Sequence, residues 1–502
     1  MAATKTTKSK KAPAKKAVAK KAKAPAKKAT AKQATAKKAP AKRAPAKKAT
    51  AKKATAKKAT APARRPAKVV TGQVAKLTFP IERATLSNGL KVVLAPDRSS
   101  PAVNVAVYYD VGFRSEPQGR TGFAHLFEHL MFEGSASLEK LQHAKLVQGN
   151  GGTFNGSTNT DYTNYFEELP STALEMGLFL EADRMRAVRL NEETLQNQIA
   201  VVKEEIRVNV LNRPYGGFPW ILLPPVLFDT FNNAHNGYGS FEDLESATVA
   251  DAADFFKKYY APANAVLSVT GDFAVDKAMA LVEKHFGDLP RRPAPKRPSF
   301  AEDAPKKEKR VTHHDPMAPA PAVAVGYRVP DPTGRNLKQY LAAVMLTEVL
   351  TDGEASRLYQ RLVKEDRLAS HAFGMIGLFG NPFEVRDPTP MQLVAYYQGG
   401  GPDGILKAID EEVEKVASDL DEVELERVRT SWLSGYLQQA DNFMYRGLHL
   451  AVLEQQRGKP SLLNDLPAEM ARVRAADVRE AASQWLNPKH RAVVDIQPGS
   501  PK

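Results

Sequence analysis

Ten consecutive residues carry the densest chemistry in the chain: Gly122-Phe123-Ala124-His125-Leu126-Phe127-Glu128-His129-Leu130-Met131. On a helix, His125 and His129 fall one turn apart on one face. Glu128 lies in the same arc, roughly 60–100° from each histidine. Every other position from Phe123 to Met131 is apolar, so the helix should be buried with its polar groups converging on one side. A buried charge is costly unless it is paired or bound to a metal. Imidazole suits zinc, and two His at i and i+4 can reach one ion. The competing reading is a pair of core histidines beside a salt-bridged Glu, and it explains one such histidine far better than it explains all three groups.

A zinc site that keeps one position for water needs a third protein ligand. The stretch Glu192–Leu211 reads as an amphipathic helix with the apolar stripe Ile199, Val202, Ile206, Val210. By the 3.6-residue period Glu204 points away from that stripe and Glu205 lies on its shoulder. A ligand must face inward, so Glu205 is the candidate.

These helices belong to a larger pattern. Leu86-Ser87-Asn88-Gly89-Leu90 reads as a turn between two strands, the second being Lys91–Leu94. Ala102–Tyr109 alternates like a strand, Thr153–Phe166 has strand composition, and Leu174–Val188 has helical periodicity. A helix is expected at residues 249–261 and a strand at Asn264–Thr270, followed by a helix to Phe286. Residues 288–310 hold five prolines and many charges and read as a linker. Beyond it, Ala322–Val329, Met391–Gln398 and Arg491–Ile496 read as strands and Leu337–Leu350 as a helix; His313-His314-Asp315 reads as strand rather than metal site. Strands and helices do not alternate strictly, which favours an α+β class with two similar domains. The expected division is a tail over 1–74, a zinc-binding domain over 75–287, the linker 288–310 and a non-catalytic domain over 311–502.

The net charge of +16 conceals two unlike parts. Residues 1–68 carry 25 Lys and Arg and no acid, which leaves 47 basic against 56 acidic residues beyond them, a net of −9. The unit Ala-Lys-Lys-Ala-Thr runs three times from Ala46 to Thr60, and Val18 is the one large aliphatic residue before Val69. Such a segment cannot bury enough apolar surface to order itself, so it reads as disordered. Its charge suits nonspecific nucleic acid or another polyanion, while a solvated linker is the plainer alternative. No apolar run of 7–15 residues marks a secretory signal there, and a cytoplasmic location is the expectation, with nucleoid association as the option the tail opens. No run of 18 apolar residues occurs, so no membrane-spanning helix is expected. The absence of cysteine excludes disulfide frameworks, thiolate metal sites and cysteine nucleophiles.

His-x-x-Glu-His is the inverted form of the thermolysin-type zinc motif. On that motif the chain resembles the pitrilysin/insulinase family of zinc metallopeptidases, with the look of its short bacterial members and of the catalytic subunit of mitochondrial processing peptidase. The resemblance runs over roughly residues 78–500. It includes Gly151-Gly152-Thr153-Phe154-Asn155-Gly156, Asp161-Tyr162-Thr163-Asn164-Tyr165, Val201–Arg207, Gly237-Tyr238-Gly239-Ser240-Phe241-Glu242-Asp243-Leu244 and Tyr259–Ala265. It implies a zinc endopeptidase with one Zn2+ per chain, ligands His125, His129 and Glu205, and Glu128 as general base. It also implies an edge strand around Phe154, Asn155, Gly156, Ser157 and Thr158 that pairs with extended peptide substrate. Many members carry an acid seven residues before the zinc Glu, where this chain has Gln198. Members often show His-Pro-Tyr where this chain has His235-Asn236-Gly237-Tyr238. Tyr445 and Arg446 stand near a tyrosine and an arginine that bind substrate in the family. The motif occurs once, so a homodimer, or a heterodimer with an inactive relative, is expected to close the site. The alternatives are a non-catalytic subunit of a processing complex and a nucleoid-associated protein acting through its tail.

Overall fold

Asn88 ends the first strand pairing by turning its side chain inward, donating to the Phe286 carbonyl at 2.7 Å and accepting from the Leu90 amide at 3.1 Å. From this turn the first sheet is built. The computed structural model describes residues 77–330, 332 and 337–499. The basic tail expected over 1–74 lies outside the described residues.

The first sheet contains β1 (Glu82–Thr85), β2 (Lys91–Pro96), β3 (Ala102–Tyr109), β4 (Thr153–Thr158), β5 (Thr163–Pro170) and β6 (Ala265–Gly271). Their order is β1-β2-β6-β3-β5-β4, and only the β2–β6 pair is parallel. The helices that matter to it are α1 (Phe123–Leu130), α2 (Leu174–Arg186), α3 (Glu192–Ile206) and α4 (Val249–Tyr259). The second sheet contains β7 (Lys309–Asp315), β8 (Ala322–Arg328), β9 (Ala369–Ile376), β10 (Pro390–Tyr397) and β11 (Arg491–Pro498). Its order is β7-β11-β8-β10-β9, again with one parallel pair, β7–β11. The helix α5 (Leu337–Thr351) lies between β8 and β9 in sequence, and α6 (Phe443–Arg457) between β10 and β11. Two mixed sheets, each packed with helices, make the α+β class.

Two expected elements differ in detail. The strand-like stretch from Thr153 splits into β4 and β5, because Asn159 to Tyr162 form a turn closed by the Asn159 amide on the Tyr162 carbonyl at 2.8 Å. The helix expected to Leu211 is α-helical only to Ile206 and widens into a π-type turn over Arg207–Leu211.

Each sheet is covered on one face by the other half of the chain. Val103, Val105, Val107 and Tyr109 of β3 pack with α1 and α2 residues in one core. On the opposite face Ala106 and Tyr108 join a core built largely from the second half. There α6 lies across β3 and β6. Gly447 allows that approach, since a Cβ there would stand 2.5 Å from Asn104 Oδ1 and 2.6 Å from Thr270 Oγ1. Conversely, Leu223, Val226, Leu227 and Phe228 of the first half cover Ala322, Ala324 and Val494 of the second sheet. The body is therefore one compact unit.

The segment 288–310 has no regular structure before β7, yet it is fastened along its length. Arg297 donates to Asp110 at 3.1 Å, Asp161 at 2.7 Å and Asp387 at 2.5 Å. The Phe300 carbonyl accepts from Asn233 at 3.0 Å. No helix among the described residues is long and apolar enough to cross a membrane.

Candidate metal centre

The short helix α1 buries Phe123, Ala124, Leu126, Phe127 and Leu130, which turns His125, Glu128 and His129 toward the remaining side. Its first turn is capped by a buried carboxylate from outside the helix. Glu116 accepts the Gly122 amide at 3.0 Å and the Ala124 amide at 2.7 Å. These are amides that a helix start leaves without partners. His235 holds that carboxylate through Nε2 at 3.1 Å.

The partner helix α3 starts at a reciprocal cap between Asn191 and Thr194. It buries Leu195, Ile199, Val202 and Ile206. That stripe sends the adjacent glutamates to opposite fates. Glu204 is 64% exposed and pairs with Arg207 at 3.0 Å. Glu205 meets α1: its Oε2 lies 3.7 Å from His125 Nε2 and 3.4 Å from His129 Nε2. The two imidazole Nε2 atoms are 3.3 Å apart. Among the described residues this is the one group of three such side chains whose ligand atoms converge. Bonds of about 2.0–2.2 Å at tetrahedral angles put ligand atoms roughly 3.3–3.6 Å apart, so the triangle fits zinc closely.

The electrostatics of His125 and Glu205 suit ligands. Burial, with His129 alongside, draws the His125 pKa down to about 4, so its imidazole is neutral at pH 7. The hydrogen bond from His129 holds Glu205 at about 2 against the pull of burial. At His129 burial opposes the charged form, but the Glu205 hydrogen bond and the charges of Glu128 and Glu205 outweigh it and the pKa is raised. Behind Glu205, the Tyr238 hydroxyl donates to Oε1 at 2.8 Å. Burial pushes that hydroxyl up to about 12, so it stays a donor.

Glu128 stands beside the triangle. Burial raises its pKa, opposed in part by a 2.6 Å hydrogen bond from Thr158 Oγ1. Gly156 lets β4 come this close: a Cβ there would lie 3.2 Å from both Cγ and Oε1 of Glu128. Gln198 is buried, donates its amide to Glu133 Oε1 at 2.7 Å and also hydrogen-bonds His129. That bond raises the His129 pKa, so the Gln198 carbonyl oxygen accepts in it and the imidazole donates.

A cavity of about 330 Å³ opens over these groups. Gly156, Ser157 and Thr158 form one wall, with His125 and Glu128 beneath. Phe154 and Asn155, expected with them, do not line it. The Phe154 ring packs against Phe132 at 5.5 Å and His143 at 5.3 Å, and Asn155 accepts its neighbour's Gly156 amide at 2.9 Å. The other walls are Phe113, Trp220, Gly237, Tyr238 and, from the second half, Phe379. Sequence reasoning missed these. Tyr238 stood inside a segment marked for resemblance but without a role, and nothing periodic pointed to Trp220 or Phe379. Arg446 is not at the site: it is buried against Asp97, with its guanidinium over Phe79 at 4.4 Å.

Comparison with known proteins places the chain among similar molecules. The family model described as "Insulinase (Peptidase family M16)" matches residues 91–215, a span containing all three triangle residues and Glu128. The model described as "Peptidase M16 inactive domain" matches residues 246–431. The zinc protease PqqE of Helicobacter pylori is 28% identical over 434 residues, covering 83% of this chain and 93% of its own. The crystal structure of a protease from Helicobacter pylori superposes with a TM-score of 0.76 at 26% identity, covering 84% of this chain and all of that one. Subunit 1 of the mitochondrial cytochrome b-c1 complex of Caenorhabditis elegans is 24% identical over 83% of this chain and 88% of its own. Relatives thus include one named as a protease and one named as a subunit of a complex.

Proposed function

The chain belongs to the insulinase, or M16, peptidase family, and from that premise we propose that it is a zinc endopeptidase hydrolysing peptides or unstructured polypeptide segments. The observation that carries the proposal is the juxtaposition in the first half of the chain. A ligand triangle with separations of 3.3, 3.4 and 3.7 Å sits beside the Glu128 carboxylate at the floor of a cavity walled by an edge strand. A structural metal site has no use for the fourth group.

His125, His129 and Glu205 would hold the ion. Bound there, zinc lowers the pKa of water toward 7 and polarises a carbonyl. Glu128 accepts the proton of the attacking water and delivers it to the leaving amine. Its raised pKa moves it toward a group that can both take and give a proton. Among the described residues β4 pairs with β5 alone, so its other edge is available to an extended peptide, which would lie across Glu128.

Glu128→Gln tests the role of the base. The variant should keep about one zinc per chain and lose at least about 10²-fold in peptide cleavage. Wild-type turnover in the variant, sensitive to chelator, would refute the assignment.

One ligand set per chain also fits a subunit that closes its site with a second copy or with a relative lacking the motif. The +25 segment over residues 1–68 is assigned to polyanion contact. Sedimentation of the intact chain, with and without duplex DNA at low salt, checks both. A monomer that ignores DNA removes them together and leaves the peptidase reading standing.

A further inference from the structure

The short segment from Phe231 to Gly239 touches both helices that carry the ligand triangle. His235 reaches Glu116, whose carboxylate caps the start of α1. Three residues on, Tyr238 reaches Glu205 of α3. Between them Asn236 Oδ1 accepts the Tyr238 and Gly239 amides at 3.0 and 3.1 Å, which folds the segment into a turn. Glycines let that turn lie against α1. A Cβ at Gly122 would stand 2.4 Å from the Tyr238 carbonyl oxygen, and one at Gly239 would stand 2.4 Å from the Gly122 nitrogen.

Gly122 occupies the N-cap position of α1 and has no side chain to cap with, so Glu116 supplies the acceptor from outside the helix. Glu116 is fully buried. Its oxygens accept the two α1 amides, and Oε2 faces His235 Nε2 as well. A group that accepts at all three contacts is a carboxylate. The other ring nitrogen, Nδ1, lies 2.9 Å from the Phe231 carbonyl, which can only accept. Both nitrogens of His235 therefore donate, and the ring is an imidazolium. Burial works against both charges and leaves the Glu116 carboxyl raised. At His235 the hydrogen bond and charge of Glu116, with the carbonyls of Phe231 and Phe113, outweigh burial and the pKa is raised. The ring stacks on Phe231 at 4.4 Å and meets Phe113, a wall of the zinc-site cavity, edge-on at 6.0 Å.

A buried carboxylate stripped of its cation is costly. The relief open to Glu116 is to protonate or to withdraw from α1, and either change loosens the start of that helix. The helix has eight residues, and His125 stands three positions after Gly122. A shift at its start is therefore a shift of the first imidazole.

We infer that Glu116 and His235 are positioning residues of the metal centre: as a charged pair they fix the start of α1 against the turn that carries Tyr238, and so fix the two imidazoles against Glu205. The inference rests on the zinc-site reading.

The test compares two substitutions of similar size and polarity. His235→Gln carries an N–H to the position of ring Nε2 and keeps a donor on Glu116. His235→Asn reaches only as far as Nδ1 and leaves Glu116 without that donor. Zinc affinity is read by competition with a chelating dye, and the folding of the metal-free chains by urea unfolding. His235→Gln should bind zinc as the parent does, and His235→Asn roughly tenfold or more weaker, the range for loss of an orienting partner. Adding Glu116→Gln to each should weaken zinc in both and erase the difference between them. Should Glu116→Gln not fold, the comparison of His235→Gln with His235→Asn decides alone. Equal zinc affinity in those two variants overturns the inference and spares the peptidase reading, even if His235→Asn unfolds at lower urea, because the pair then serves stability only. A difference that survives Glu116→Gln also overturns it. A parent chain that binds no zinc sinks both readings.

Discussion

Glu204 and Glu205 differ by one position on α3 and by about 100° around its axis. That rotation separates a surface carboxylate paired with Arg207 from one that closes a triangle with His125 and His129. Substitution should rank accordingly in a zinc competition titration against a chelator. Glu204→Gln should bind as the parent does. Tyr238→Phe removes the hydroxyl that donates to Glu205 at 2.8 Å and should weaken zinc by roughly 10–100-fold, the range for an orienting partner. Glu205→Gln removes a ligand and should weaken it further still. Parent-like zinc affinity in Glu205→Gln would exclude it as a ligand.

At the scale of elements, what could be read from sequence was whatever followed a period. The i, i+4 spacing of His125 and His129 has one meaning on a helix, and the stripe Ile199, Val202, Ile206 fixes which of two glutamates turns inward. Strands of β-branched and aromatic residues, such as Ala102–Tyr109, emerged with the expected bounds. The turn inside Thr153–Phe166 did not, because the Thr, Tyr and Phe on both sides of Asn159 and Asp161 carry a strand signal that masks these two turn formers. The aromatic wall of the cavity was invisible for another reason. Phe113, Trp220, Tyr238 and Phe379 come from turns and short connecting segments far apart in sequence, and no local pattern brings them together. Nor does a buried strand reveal its cover: Ala322 and Ala324 read as part of a second-half strand, and Leu223 and Leu227 of the first half pack on them. Tyr445 and Arg446 show the limit of a dipeptide match. Neighbours on α6 diverge, one lining a cavity of the second half and the other buried against Asp97.

At the scale of the whole molecule, the proline-rich strap is held to the body by charge. Composition marked 288–310 as a linker, but Arg297 fastens it to Asp110 after β3, Asp161 in the β4–β5 turn and Asp387 ahead of β10. One guanidinium therefore joins both sheets. Asp161 is fully buried; Arg114 also reaches it at 3.4 Å, and the Arg386 amide donates to it at 3.1 Å. Burial alone would lift the Asp161 carboxyl, but Arg114 and Arg297 together hold its pKa below the ordinary value. A carboxyl depressed in the folded state stabilises it above its unfolded pKa, near 4, and that contribution is lost as pH falls through the lower folded value. Arg297→Gln should therefore cost roughly 2–3 kcal/mol at pH 7, less than the ~3–5 of a lone buried pair because Arg114 remains. The deficit should shrink as pH falls below about 4, where protonation of Asp161 removes the charge that Arg297 answers. Urea unfolding of both proteins between pH 7 and pH 3 measures the difference. A deficit that stays constant with pH would mean that Arg297 acts by packing against Phe300, 5.2 Å from its guanidinium, and not by charge.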